Sequence, residues 1–167
     1  ALSALTDGVG NTAVGYHALK TNEEGHKSTA VGYQALEDAN ENADAKNVAV
    51  GWNAALNLTT GAFNVAVGTE AIGNGTTTGD WNVALGQGAG YALTSGEANI
   101  LIGGNAGVGI TTANKTIFIG QYSGDAVTTT GGSNVSDGTI GIGYEALTAL
   151  TSGAGNTAIG YKAGEDI

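Results

Sequence analysis

The sequence predicts an all-β protein, a parallel β-solenoid of about nine coils with roughly 17 residues in each. One phrase carries this prediction, because the segment from Asn11 to Ala18 returns nearly unchanged from Asn156 to Ala163. A high glycine content (30 residues) makes a helical alternative costly. The central glycine of the phrase recurs at intervals of 17, 19, 17, 18, 17, 17, 23 and 17 residues, at Gly15, Gly32, Gly51, Gly68, Gly86, Gly103, Gly120, Gly143 and Gly160. Residues 1–167 therefore form a single repeat array.

A large aliphatic residue stands immediately before every central glycine. Two residues earlier every repeat has a β-branched residue, and alternate residues of a strand share a face. We therefore predict one short strand per coil and an inward position for the large aliphatics. The predicted structural core is Val14, Val31, Val50, Val67, Leu85, Ile102, Ile119, Ile142 and Ile159.

The residue between these two positions is alanine in most repeats. A strand that is apolar on both faces is normally covered on both faces. In so thin a repeat, the interior of the coil can cover one face and another subunit the other. We therefore predict a homo-oligomer whose subunit interface contains Ala13, Ala30, Ala49, Ala66, Ala84, Leu101, Phe118 and Ala158.

Asparagine marks the turn into the strand, four residues before the central glycine. It tolerates the left-handed backbone of such turns. Repeated once per coil, it is also able to stack as a hydrogen-bonded ladder. The residues concerned are Asn11, Asn47, Asn64, Asn82, Asn99 and Asn156.

The uneven spacing predicts two loop insertions, at 37–46 and 124–138. The first alternates oxygen ligands as the opening of a calcium loop does, at Asp38, Asn40, Asn42 and Asp44. It lacks the sharp-turn glycine and the closing glutamate of such a loop. We therefore predict a solvated acidic loop, with no metal and no cofactor.

The charge balance narrows the choice of partners. Fifteen acidic residues against five basic ones give a formal net charge of −10. This charge repels nucleic acid and anionic membrane surfaces. No apolar run approaches the ~20 residues that a membrane-spanning helix needs. We expect neither nucleic-acid binding nor membrane insertion.

The phrase Asn-Thr-Ala-Val-Gly-Tyr-x-Ala-Leu resembles the head repeat of trimeric autotransporter adhesins (YadA-like heads) and the related repeats of phage tail fibres. The resemblance covers residues 1–164, and the cores at 13–15, 30–32, 49–51, 66–68 and 158–160 carry it most strongly. It implies a left-handed parallel β-roll in which three chains pack side by side. It further implies a fibre segment that attaches a bacterium or a virion to a surface. A repeat near 17 residues is longer than that of the best-known adhesin heads, which favours the fibre-type version.

From this resemblance we expect an extracellular, non-enzymatic homotrimer, in a virion tail fibre or on a bacterial cell surface. Residues 1–6 match residues 146–151, and we expect the array to be a piece of a longer fibre. Its partner is a glycan or protein receptor of the host surface. Because loops on a rigid scaffold usually carry recognition, the candidate receptor contacts are Phe63, Trp81, Asp125, Thr128, Ser133 and Asn134.

Two other functions remain open. Threonine recurs nine residues before the central glycine, at Thr6, Thr59, Thr77, Thr94, Thr111 and Thr151. Such a row is able to order water, so an ice-binding solenoid is the first alternative. The row is interrupted at Glu23 and Asn42, however, and stacked structural threonines explain the pattern better. The second alternative is a polysaccharide-cleaving tailspike, with paired carboxylates from neighbouring coils.

Overall fold

Each repeat contributes one three-residue strand to a single sheet in the computed structural model of the chain. The structure describes residues 1–39, 45–127, 136–151 and 153–166, and within them it contains strands and turns but no helix. The strands are β1 (Thr12–Val14), β2 (Thr29–Val31), β3 (Val48–Val50), β4 (Val65–Val67), β5 (Val83–Leu85), β6 (Ile100–Ile102), β7 (Ile117–Ile119), β8 (Ile140–Ile142) and β9 (Thr157–Ile159).

All nine strands are parallel and pair in chain order, from β1 to β9. Equivalent positions of successive repeats are in register, so that Ala49 pairs with Ala66. The register holds even across the 23-residue interval, where Ile117 pairs with Ile140. The chain is thus a parallel β-solenoid of about eight turns, and the predicted fold class is confirmed.

The alanine row lies inside the coil, where the prediction placed the large aliphatics. In β2 to β8 the central strand residue is fully buried within one chain, and in β1 and β9 it is half-buried. The assignment of this row to a subunit interface is therefore wrong. The residues that instead belong to the interior are Ala13, Ala30, Ala49, Ala66, Ala84, Leu101, Phe118 and Ala158.

The predicted aliphatic core lies on the outer face of the same sheet, so this assignment is also wrong. Val14 is 58% exposed, Val67 36% and Ile159 67%. The other six members of the row, Val31, Val50, Leu85, Ile102, Ile119 and Ile142, are half-buried. Residues two apart do share a face, as predicted, but a thin coil has room inside only for the smaller row.

Larger side chains fill the interior from the opposite wall, four residues after the central glycine. Leu19, Leu36, Ile72 and Leu147 have no exposed surface and lie in the left-handed region, with φ between 48° and 59°. This backbone conformation is unusual for residues of this size. Burial of an aliphatic side chain, which contributes about 1.5–3 kcal/mol, offsets the strain.

The bulky residues at the strand centre are matched by glycines on the opposite wall. Where Phe118 replaces alanine at the strand centre, Gly124 replaces leucine on the opposite wall, and a Cβ atom there would lie 2.7 Å from three ring carbons. Leu101 is matched in the same way by Gly90 and Gly107, whose added Cβ atoms would lie 2.7 and 2.8 Å from it. The bulky repeat is therefore accommodated by glycines rather than by a wider coil.

Four of the asparagines before the strands, Asn47, Asn64, Asn82 and Asn99, form the predicted ladder inside the stack. The backbone N–H of Asn82 donates to Oδ1 of Asn64 (2.8 Å), and that of Asn99 donates to Oδ1 of Asn82 (3.1 Å). The amide group of Asn82 also donates to the carbonyl of Gly96 (2.9 Å). Each buried asparagine thus links three successive coils.

A large residue at the strand centre accompanies a small one on the opposite wall. This pairing predicts that the effects of substitutions at positions 118 and 124 on stability are strongly coupled. Alone, Gly124→Leu overfills the coil and Phe118→Ala leaves a cavity, each at a cost of about 2–5 kcal/mol. Together they recreate the pairing of Ala30 with Leu36. The double variant will therefore lose less stability than the sum of the losses in the two single variants. Urea unfolding of the four proteins measures this coupling. Strictly additive losses would contradict the packing described.

Candidate functional site

The outer face of the sheet is one candidate interaction surface. We call it the aliphatic face, and it consists of two parallel rows of nine residues. The first row is Thr12, Thr29, Val48, Val65, Val83, Ile100, Ile117, Ile140 and Thr157, and the second is the row from Val14 to Ile159 given above. Neither row contains a charged residue. With neighbouring strands about 4.8 Å apart, the face runs for about 40 Å along the solenoid.

Aromatic side chains border this face, at the position just after the central glycine. Tyr16 stacks on Tyr33 with 5.1 Å between ring centroids, and Tyr144 stacks on Tyr161 at 5.5 Å. Trp52 lies in the same row and is 48% exposed. Aromatic residues occupy this position in the first three and the last two coils, where they widen the apolar surface.

A second aromatic pair, Phe63 and Trp81, lies at the turn before the asparagine ladder. Both are exposed candidate receptor contacts of the sequence analysis, and their rings stack at 6.1 Å with an interplanar angle of 15°. The ammonium group of Lys46 lies 4.9 Å from the centre of the Phe63 ring. Both aromatic residues have a left-handed backbone, with φ of 60° and 56°, which turns their side chains out of the coil.

Trp81 lines a cleft that crosses several coils, which we call the Trp81 cleft. Its volume is about 530 Å³. Its other lining residues are Ser95, Glu97, Ala98, Asn114, Lys115 and Asp137. The sequence predicted Trp81 as a contact. It did not reveal the polar wall, because Glu97, Asn114 and Asp137 come from different repeats and share only a turn position.

Hydrogen bonds between coils hold the polar wall of this cleft in place. The backbone N–H of Asn114 donates to Oδ1 of Asp137 (2.7 Å), and that of Glu97 donates to Oδ1 of Asn114 (2.9 Å). The backbone N–H of Lys115 donates to the carbonyl of Glu97 (2.9 Å). The wall is therefore part of the stacked scaffold.

Asp125, another predicted contact, lines a smaller cleft of about 300 Å³ with Tyr122, Glu145 and Thr148. Burial, together with the negative charge of Glu145, raises the pKa of Asp125. Hydrogen bonds from Tyr144 and Lys162 lower the pKa of Glu145. The two carboxyl groups of this cleft thus differ in acidity.

The described ends of both predicted insertions belong to the coils, so the insertions are shorter than predicted. Glu37 and Ala39 are buried before the first, and Lys46 after it donates its N–H to the carbonyl of His26. Val127 is fully buried, and Gly138 donates its N–H to the carbonyl of Asn114.

Several predicted site residues lie outside the described ranges. These are the receptor candidates Thr128, Ser133 and Asn134 and the calcium candidates Asn40, Asn42 and Asp44. Asp38 is described and is exposed. Among the described residues, no three His, Cys, Asp or Glu side chains come together as a metal site would require.

The buried Glu37 is the centre of an ionic cluster whose other members are partly exposed. Its Oε1 lies 2.9 Å from Lys20 Nζ and 3.0 Å from His17 Nδ1, and Gln34 donates to its Oε2. Burial alone would raise the pKa of Glu37, but the hydrogen bonds from Lys20 and Gln34 outweigh it and lower this pKa. The cluster joins the first two coils.

The threonine row forms hydrogen bonds within the solenoid. Thr77 is fully buried and its hydroxyl donates to the carbonyl of Leu93 (2.8 Å). The hydroxyls of Thr6 and Thr94 donate to the carbonyls of Glu23 (2.9 Å) and Thr111 (3.0 Å). Each of these hydroxyls fastens one coil to the next.

Comparison of the chain with protein-family models, with curated proteins and with solved structures gave no match in any of the three. In the described part of the chain, no helix has the length and hydropathy for a membrane crossing. What the protein does has to be inferred from its own surfaces.

The Glu37 cluster predicts a pH-dependent contribution to stability. Because the folded-state pKa lies below its ordinary value of 4.5, the contribution is complete above that value and is lost as the pH falls through the folded-state pKa. We expect Glu37→Gln to lower the free energy of unfolding by about 1.5–3 kcal/mol at pH 7. Urea unfolding between pH 7 and pH 3 will show this difference shrinking. The exposed Glu24→Gln variant is the control, and an equal loss in both variants would contradict the role of the cluster.

Proposed function

We propose that the protein is a structural and adhesive segment of an extracellular homotrimeric fibre, of the phage tail-fibre or bacterial-adhesin kind, that attaches its bearer to a surface. The role is non-enzymatic. The aliphatic face carries this proposal, because a chain with a net charge of −10 keeps one whole side of its sheet free of charge.

The size of the aliphatic face supports an interaction role. The three residues of each strand give the face an area of roughly 40 Å by 10 Å. This is as large as the biggest apolar patches that monomeric proteins expose, and those are often functional. Val14, Val67 and Ile159 are among its most exposed members.

A second copy of the chain is the partner that fits this face best. Every acidic residue lies outside the nine strands, so like-charged copies meet the least repulsion when these faces approach. Each coil also presents an uncharged, mostly aliphatic pair of side chains, so two copies are compatible along their whole length. Three copies around one axis follow from the resemblance to trimeric fibre repeats. The interface then contains the aliphatic face in place of the alanine row.

The use of threonine favours this function over ice binding. A surface that orders water needs a regular row of hydroxyl groups at the solvent boundary. Here Thr77 is buried, and several of the hydroxyls donate to carbonyl groups of the neighbouring coil.

The proposal predicts the effect of a charge on the aliphatic face. The wild-type chain will have three times the 16.3 kDa mass of one copy in light scattering. Val67→Lys will dissociate it to single chains, because a lysine in each copy would be desolvated against its equivalents. The fold of the single chain will persist, since residue 67 lies outside the coil interior.

Thr78→Lys is the matched control, because it adds the same charge to an exposed residue away from the sheet. It will leave the mass unchanged. A wild-type protein that has the mass of one chain at all concentrations would contradict the proposal.

A further inference from the structure

We infer that the Trp81 cleft binds a neutral oligosaccharide, which lies along the solenoid axis with one sugar ring on the indole of Trp81. The inference rests on the proposed attachment function and assigns its partner a chemical class and a site. The site lies within a single chain, at the turn that precedes the strands.

Trp81 offers one open aromatic face to this cleft. Phe63 stacks on one side of the indole at 6.1 Å. The residue at the same turn position in the next coil is Ala98, which lines the cleft and has only a methyl side chain. The indole is 56% exposed, yet its position is fixed by the Phe63 stack. The C–H groups on the flat side of a pyranose ring carry partial positive charge, and the face of an indole attracts them.

The polar wall supplies hydrogen-bonding groups of the kinds that sugar hydroxyls need. Carboxylates accept, an ammonium donates and a carboxamide does both. Glu97, Asn114 and Asp137 occupy one turn position in three successive coils, and Lys115 follows Asn114. Coils repeat every 4.8 Å or so, which is about the length of one pyranose ring. Successive rings of a linear oligosaccharide would thus meet successive polar side chains.

The charges of the cleft select a neutral ligand. Two carboxylates and one ammonium line it, on a chain whose net charge is −10. A sialylated or sulfated glycan would be repelled. The volume of about 530 Å³ is within the range of small-molecule sites and accommodates a short oligosaccharide.

The test uses Trp81 as its own reporter. The chain has two tryptophans, so Trp52→Phe leaves Trp81 as the single indole. This variant is titrated with cellotetraose, mannotetraose and chitotetraose, and with sialyllactose as an anionic comparison. We expect a saturable change in tryptophan emission with at least one neutral oligosaccharide and none with sialyllactose. No saturable change with any of the three, or a change with sialyllactose alone, would overturn the inference.

Two variants then locate the binding by calorimetry. Trp81→Ala will weaken the affinity for the bound oligosaccharide about tenfold or more. Trp52→Ala, which removes the other exposed indole, will leave it unchanged. Glu97→Gln keeps the shape of the side chain and will weaken binding by a smaller factor. Equal affinities of wild type and Trp81→Ala would overturn the inference.

Light scattering on the same samples separates this inference from the proposed function. Trp81→Ala will keep the mass of the wild-type assembly, and Val67→Lys will lose that mass and keep the affinity. A single-chain mass with intact sugar binding would refute the fibre and leave the cleft in place. A trimer that binds no sugar would refute the binding site in the cleft and leave the proposed fibre in place.

Discussion

Every coil has to stack on the next at the spacing of neighbouring β-strands, and the rest of the structure depends on this constraint. A Cβ atom at Gly68 would lie 2.6 Å from the carbonyl oxygen and carbon of Gly86, so this position accepts only glycine. The same approach recurs at the preceding and following central glycines. Between strands, the asparagine ladder and the threonine hydroxyls extend the hydrogen bonding around the coil. The strands keep their register even across the longer repeats.

The same constraint decides which side chains fit inside. Two walls that lie so close leave room for a small residue on one and a leucine on the other. The pairs Ala30 with Leu36 and Phe118 with Gly124 satisfy this rule in opposite ways. Large β-branched residues therefore lie on the outer face, where they favour the strand conformation and pack against their equivalents in adjacent coils. The apolar outer face is thus a consequence of a thin interior, and self-association is the simplest means of covering it.

The period, the strand positions and the parallel pairing were predictable from the sequence, because glycine and β-branched residues recur at fixed places. Which row points into the coil was not predictable, because both rows are apolar. The pattern at Val67 and Ala66 shows only that neighbouring residues point to opposite faces. The size of the side chains would have shown which row lies inside if the thickness of the coil had been known. The polar wall of the Trp81 cleft was missed for another reason. Glu97, Asn114 and Asp137 differ in type and are 17 and 23 residues apart, and only the folded register brings them together.

The central claim is that the large aliphatics point out and associate while the alanines point in. The chain has no cysteine, so Ala66→Cys and Val67→Cys each introduce a single thiol whose labelling rate reports exposure. The account predicts that the Val67→Cys thiol reacts quickly in dilute solution and becomes protected as the protein concentration rises. The Ala66→Cys thiol will react slowly at every concentration. The opposite result would contradict this orientation of the two rows. In that case the Ala66→Cys thiol would react quickly in dilute solution and become protected on association, and the Val67→Cys thiol would react slowly at every concentration.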